Sequence, residues 1–332
     1  MSAPDGAGTP TGSLILTRTD IAALMRPADW LAAAETASRA AGEGRAEAPP
    51  PLAIHGSEGV FHAKGAGLRG ERHYVALKLN ANFPGNPQRR GLPTVQGAIL
   101  LCDGESGALL AIMDSIEVTL RRTAAATALA ARHLARPDSA RILICGCGAQ
   151  GAAQLAALRE VLPLPICLAW DRDPERASAF AEAAGAQVSD DLVGAALASD
   201  VIVTCTTSRQ PFLDRHMVRA GTFVAAVGAD SPEKSEISPA LMASARVVAD
   251  ILDQCVAMGD LHHAIAEGAM TREAVHAELA ELASGARPGR TSAGDIIIFD
   301  STGTGLQDVA AAAMIYERAA GGGHRPNVAL AA

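Results

Sequence analysis

The chain has 332 residues, 49% of them hydrophobic and 19% charged, with a formal net charge of −8. That is length and apolar content enough for two ordinary domains, and it argues against wholesale disorder. Lys and Arg form no clustered block, which argues against nucleic acid as a partner, and the longest apolar runs are strand-sized, which argues against a membrane span. The start, MSAPDGAGTPTGS, lacks the basic and then apolar regions of a signal peptide, so the expected location is cytoplasmic.

Residues 1–13 are expected to form a disordered tail. A short strand at 14–16 precedes a helix running through TDIAALMRPADWLAAAETASRAAGEG, which the three prolines of AEAPPPLAIHG then break. Strand-like runs at 60–63, 74–79, 97–102 and 108–113, separated by Gly and Pro turns, make 59–113 a β-rich unit. Residues 116–135 are Ala-rich and helical in pattern. From 141 the pattern changes. Buried-looking strands at 141–145, 165–170, 200–204, 222–227, 246–251 and 295–299 alternate with helices such as AAQLAALREVL, 174–184 and 191–198. Such alternation implies a parallel sheet with right-handed crossovers. A last helix near 306–319 is expected to return to the first domain. The predicted class is α/β. A discontinuous α+β substrate and dimerisation domain (14–122 with 303–332) is joined to a Rossmann-type doubly wound parallel sheet (123–302).

Six cysteines, Cys102, Cys145, Cys147, Cys167, Cys205 and Cys255, read as buried free thiols. Cys145 and Cys147 have no second pair to complete a zinc site. The pair His262–His263 near His276 reads as a solvated helical face, and no metal site is expected. Of 28 basic residues only Lys64, Lys78 and Lys234 are lysines. Lysine is a compact charge whose pKa moves readily on burial, so each is a candidate for a task arginine cannot perform.

Gly146-Cys147-Gly148-Ala149-Gln150-Gly151 is a full G-x-G-x-x-G that follows a strand and opens a helix. The first glycine permits a tight turn, the second lets backbone approach a pyrophosphate, and the third lets helix and strand pack closely. The helix N-terminus adds N–H groups and a positive dipole. Asp171 ends the second predicted strand, a little beyond the usual spacing of ~20 positions from the first glycine. A carboxylate there accepts both ribose hydroxyls and repels a 2′-phosphate, which favours NAD. Arg172 follows directly and could cradle a phosphate, which leaves NADP open. The structural alternative for Asp171 is a helix cap before Pro174.

Three further clusters carry chemistry. Lys78 sits in K-L-N-A-N-F-P-G-N, where a lysine ending an apolar strand needs an anionic partner. Arg121-Arg122-Thr123 lies on the Ala-rich helix, where neighbours point ~100° apart, so only one arginine can face a given pocket. The segment G-A-D-S-P-E-K-S-E (228–236) follows a strand, where open α/β sheets bind ligands.

These motifs, together with G-L-P-T-V-Q-G, L-R-R-T-A-A-A-T-A-L-A-A, G-C-G-A-Q-G and F-D-S-T-G-T-G-L-Q-D, resemble the ornithine cyclodeaminase/mu-crystallin family over about residues 14–318. The resemblance implies a homodimer acting on a small amino or imino acid. It implies that Lys78 and Arg122 bind the substrate carboxylate and that Asp230 is the general acid/base at the substrate nitrogen. It places Thr94, Thr123, Gly148, Ala149, Gln150, Asp171 and Lys234 around the cofactor, and Thr206 and Gly228 join that set. Two cations can fix a carboxylate, and a carboxyl group near nitrogen can move its proton. The chain departs from the family at 48–53, Ala-Pro-Pro-Pro-Leu-Ala, where many members carry another carboxylate-binding arginine. Lys64, just beyond, is the candidate to replace it. The expected activity is NAD(P)-dependent hydride transfer at a C–N bond, with a cyclic ketimine (1-pyrroline-2-carboxylate type) reductase foremost. Ornithine cyclodeaminase, amino-acid dehydrogenase and a non-catalytic mu-crystallin-like binding protein are the alternatives, in that order.

Overall fold

A computed structural model describes residues 12–324 together with 328 and 329. It divides into two compact units, 1–119 with 305–332 and 120–304. The first division falls inside the helix Ser115–Leu134 and the second at the start of the helix Gly305–Gly321.

The first unit holds a seven-stranded sheet. Its strands are β1 (Leu14–Leu16), β2 (Ala46–Glu47), β3 (Leu52–His55), β4 (Val60–Arg69), β5 (His73–Asn82), β6 (Val95–Asp103) and β7 (Leu109–Asp114). The order is β1-β7-β6-β5-β4-β2, with β3 also on β4. All pairs are antiparallel except β1 with β7. Side chains alternate across such a sheet with period two. On β5, Tyr74, Ala76 and Lys78 are buried, whereas Leu77 and Leu79 are exposed. The helix Gly305–Gly321 packs on β4, β5 and the helix Pro27–Gly42, and its Ala-rich buried positions let it approach closely.

The single expected N-terminal helix is two helices, Arg18–Leu24 and Pro27–Gly42. Pro27 has no N–H and its ring clashes with the preceding turn, so it opens a helix at its first position and cannot continue one. The Pro-rich segment supplies two short strands, β2 and β3, whose partner is β4. Of the expected tail, residues 1–11 lie outside the described residues; Ser13 is buried and bridges Val328.

The second unit is built on an eight-stranded sheet. In chain order the strands are β8 (Arg141–Cys145), β9 (Ile166–Trp170), β10 (Gln187–Val188), β11 (Val201–Thr204), β12 (Arg209–Leu213), β13 (Phe223–Ala226), β14 (Ser235–Ile237), β15 (Arg246–Ala249), β16 (Ala277–Glu278) and β17 (Ile297–Asp300). All pairs of the large sheet, β10-β9-β8-β11-β13-β17-β15-β16, are parallel, and β12 pairs with β14 separately. β11, β13 and β17 are buried at every position, as parallel strands covered on both faces must be. The strand order reverses between β8 and β11, the switch point at which open α/β sheets bind their ligands.

The six cysteines are free thiols, four of them buried. The histidines do not form the expected solvated face. His262 Nδ1 lies 3.0 Å from the Val256 carbonyl and His263 Nε2 lies 2.8 Å from that of Lys234, so both tie backbone segments together. No group of residues suited to a metal ion occurs among the described residues, nor does a helix long and apolar enough to cross a membrane.

Candidate active site

In the second unit, the turn after β8 is shaped for a dinucleotide. Gly146 has φ +106°, and a Cβ there would lie 2.8 Å from the Cys205 carbonyl oxygen. A Cβ on Gly151 would lie 2.3 Å from the Gly146 carbonyl oxygen, so helix and turn touch backbone to backbone. A Cβ on Gly148 would meet nothing within 4 Å. Gly148 caps the helix Ala149–Arg159, and both Gly148 and Ala149 are exposed. The helix thus presents open N–H groups and a positive dipole at a place that a ligand can approach. Gln150 Nε2 is buried there and makes no hydrogen bond.

Asp171, at the end of β9, turns back onto this loop. Its Oδ2 accepts the Cys147 N–H at 2.8 Å and its Oδ1 accepts the Asp173 N–H at 2.9 Å. The helix that follows is capped by Asp173, whose Oδ1 accepts the Glu175 N–H at 3.1 Å. Asp171 is therefore not the cap. Each of its oxygens keeps a second lone pair for a ligand hydroxyl. Arg172 is exposed beside it. These features fit a dinucleotide: a close-approach glycine, an open helix terminus and a carboxylate at the end of the neighbouring strand.

The loops after β11 and β13 meet at one buried group. Glu236 Oε1 accepts the Thr206 N–H and hydroxyl, each at 2.6 Å, and Oε2 accepts the Gly228 N–H at 2.8 Å. Burial and the nearby Asp260 push the Glu236 carboxyl up to about 7. In the sequence Glu236 is one acidic residue of 228–236 with no task assigned, because a buried carboxylate leaves no local pattern. Asp230 follows on the same loop. It is exposed and its Oδ1 lies 2.5 Å from Lys234 Nζ, so the expected acid/base and the expected cofactor lysine form an ion pair.

On the long helix Ser115–Leu134, Arg121 is exposed and Arg122 is buried. The guanidinium of Arg122 sits against the turn after β17, where a Cβ on Gly303 would lie 2.7 Å from Nη1. Thr123 is half-buried on the same helix.

The first unit carries Lys78, Lys64 and Thr94. Lys78 is 4% exposed, and its Nζ lies 2.7 Å from Asp308 Oδ2 on the last helix. Its Nζ also donates to Thr119 Oγ1 at 3.3 Å. Lys64 on β4 is directly opposite Lys78 on β5, so two of the three lysines share the face that the last helix covers. Thr94 is half-buried just before β6, and its carbonyl accepts the Phe83 N–H at 2.8 Å.

The chain matches the model of a family described as "Ornithine cyclodeaminase/mu-crystallin family" over residues 12–323. It is similar to an archaeal alanine dehydrogenase dimer with bound NAD, at 37% identity and a TM-score of 0.88, covering 93% of this chain and 97% of that one. It is similar to the Thermococcus litoralis Δ(1)-pyrroline-2-carboxylate reductase in complex with NADH and L-proline, at 29% identity and a TM-score of 0.88, covering 95% and 100%. It is also similar to the iminosuccinate reductase of Paracoccus denitrificans in complex with NAD+, at 31% identity and a TM-score of 0.87, covering 94% and 98%.

Proposed function

The chain belongs to the ornithine cyclodeaminase/mu-crystallin family, and from that premise we propose that it is an NAD(H)-dependent reductase of small α-imino acids, with cyclic ketimines of the 1-pyrroline-2-carboxylate type foremost. It is an oxidoreductase acting at the C–N bond of a small amino or imino acid. The observation that carries the substrate reading is the pairing of Lys64 with the buried Lys78 across β4 and β5. Lys78 is already ion-paired with Asp308, and Lys64 brings a second cation to the same covered face, which suits a carboxylate and takes the task of the arginine missing at 48–53.

The cofactor is held by the Gly146–Gly151 turn, the first turn of the helix after it, Asp171, Thr206 and Gly228, with Ala149, Gln150, Arg172, Thr94, Thr123 and Lys234 as further contacts. Asp171 selects NAD over NADP by charge. Bound in its reduced form, the nicotinamide supplies the hydride that adds to the imine carbon. Lys78 and Arg122 bind the substrate carboxylate and so fix the reacting carbon. Asp230 delivers the proton to nitrogen, which turns C=N into CH–NH. The exposed leucines and isoleucines on the open face of the first unit's sheet, Leu52, Ile54, Leu77, Leu79 and Leu100, support a homodimer formed through that face.

The test is NADH oxidation with 1-pyrroline-2-carboxylate, iminosuccinate, or pyruvate plus ammonia. Preference for the cyclic imine is the expected result. Preference for pyruvate plus ammonia would make the chain an amino-acid dehydrogenase instead. Release of ammonia and proline from ornithine without net NADH would make it a cyclodeaminase. Tight NADH binding without turnover of any of these would return the mu-crystallin-like reading.

A further inference from the structure

Glu236 is fully buried, yet it forms no ion pair among the described residues. Burying a carboxylate without a counter-charge is costly unless hydrogen bonds replace its water. Here three donors do so, and they come from two different strand ends. Thr206 follows β11 and Gly228 follows β13, and these strands are neighbours in the sheet. The fit has no slack, because a Cβ at 228 would lie 2.4 Å from the Glu236 carboxyl carbon. The clamp is itself held from behind. Asp260 Oδ1 accepts the N–H groups of Glu236 and Ile237 at 2.8 and 2.9 Å and the Ser235 hydroxyl at 3.2 Å. The Leu261 N–H in turn donates to Asp300 Oδ2 at 2.9 Å, at the end of β17.

Ligands of a doubly wound sheet lie beyond the carboxyl ends of its strands at the switch point, here between β8 and β11. The loops that Glu236 joins are therefore those that must meet the half of the dinucleotide beyond the pyrophosphate. We infer that Glu236 is a positioning residue for the cofactor: it fixes the loops after β11 and β13 without touching the ligand. The inference rests on the dinucleotide reading above. It assigns to Glu236 the affinity for the cofactor, and leaves the proton and hydride steps to others.

The chemistry of the clamp gives it a signature in pH. As a carboxylate, Glu236 only accepts, which matches three donors. Once protonated it must donate to the Thr206 hydroxyl, and its hold on the Thr206 N–H weakens. The groups that face it are Asp260, at the start of the helix Asp260–Ala266, and the thiols of Cys145 and Cys205, which burial keeps protonated. With the Glu236 carboxyl at about 7, cofactor affinity should fall as pH drops through neutrality. Glutamine cannot substitute: either amide orientation sets an NH2 group against a backbone N–H, of Gly228 or of Thr206.

The experiment is a fluorescence titration of the full chain with NADH between pH 6 and 9, for wild type, Glu236→Gln and Glu236→Asp, with turnover measured at saturating NADH. Glu236→Gln should raise the NADH Kd by about tenfold or more at pH 8, flatten its pH dependence, and leave kcat within about threefold. Glu236→Asp should weaken binding while keeping a titration, and it serves if the glutamine variant fails to fold. A wild-type Kd in Glu236→Gln, or a loss confined to kcat, overturns this inference alone. A wild-type chain that binds no NADH overturns the dinucleotide reading and this inference with it.

Discussion

In the seven-stranded sheet the charged side chains of interest lie on a face, and in the eight-stranded sheet they lie along an edge. The difference follows from what covers each sheet. The antiparallel strands have one face under the helix Gly305–Gly321 and one open, so alternation can place Lys64 and Lys78 on the covered side and Leu77 and Leu79 on the other. The parallel strands β11, β13 and β17 are buried on both faces, which leaves no room for a charge within the strand. Polar groups collect at the carboxyl ends instead, as Asp171, Asp250 and Asp300 do. An exposed residue beyond the strand ends, such as Asp230, can therefore change with little harm to the sheet, whereas a charge on a covered face is part of the packing.

Asp230 gives the strongest test of that contrast. Asp230→Asn keeps the shape of an exposed edge residue and removes its proton. Turnover should fall by ~10²–10⁴ while NADH affinity and thermal stability stay near wild type. Near-normal turnover would mean that the proton comes from elsewhere.

On the face, fold and function should suffer together. Lys78→Met removes the partner that lies 2.7 Å from buried Asp308, and should cost about 3 kcal/mol in urea unfolding. Adding Asp308→Leu should recover most of that stability but no turnover, because the carboxylate ligand is still missing. Recovered turnover in the double variant would demote Lys78 to a structural ion-pair member.

The open face is the other side of the same comparison. Leu77→Asp with Leu79→Asp should raise the dimer dissociation constant by about 100-fold, read by light scattering across a dilution series. A wild-type chain that is monomeric at micromolar concentration would remove the dimer from the proposal.

The smallest effect returns to the edge. Asp171→Ser should weaken NADH and improve NADPH, shifting the preference by roughly tenfold. A wild type that already prefers NADPH by that much would show that Asp171 is not the ribose ligand.

What the sequence conveyed divides along physical lines. The parallel strands are visible because continuous apolar runs such as Arg141–Cys145 need no partner to be recognised. The G-x-G-x-x-G turn is visible because its three glycines answer to local geometry. The break at Pro27 is a local signal too, but the amphipathic pattern on both sides hides it. β2 and β3 were illegible because only pairing with β4 makes strands of a Pro-rich segment. The short helices Pro239–Ser244, Leu252–Ala257 and Leu279–Ser284 lack a local pattern in the same way. Residue spacing allowed one arginine of the Arg121–Arg122 pair to face inward, but only burial says that it is Arg122. Glu236 is the extreme case, since its three donors come from Thr206 and Gly228, up to 30 positions away.

The emptiness around Gly148 has a consequence for drift. A side chain at 146 or 151 would collide with backbone, so selection for a folded chain alone preserves those two glycines. A Cβ at 148 would meet nothing within 4 Å. Packing does not resist a methyl group at that position, whereas a ligand lying on the turn would feel it. In a lineage that kept the fold but stopped using a dinucleotide, 148 is where the first substitution could settle unnoticed. The glycine there is thus a record of use rather than of architecture.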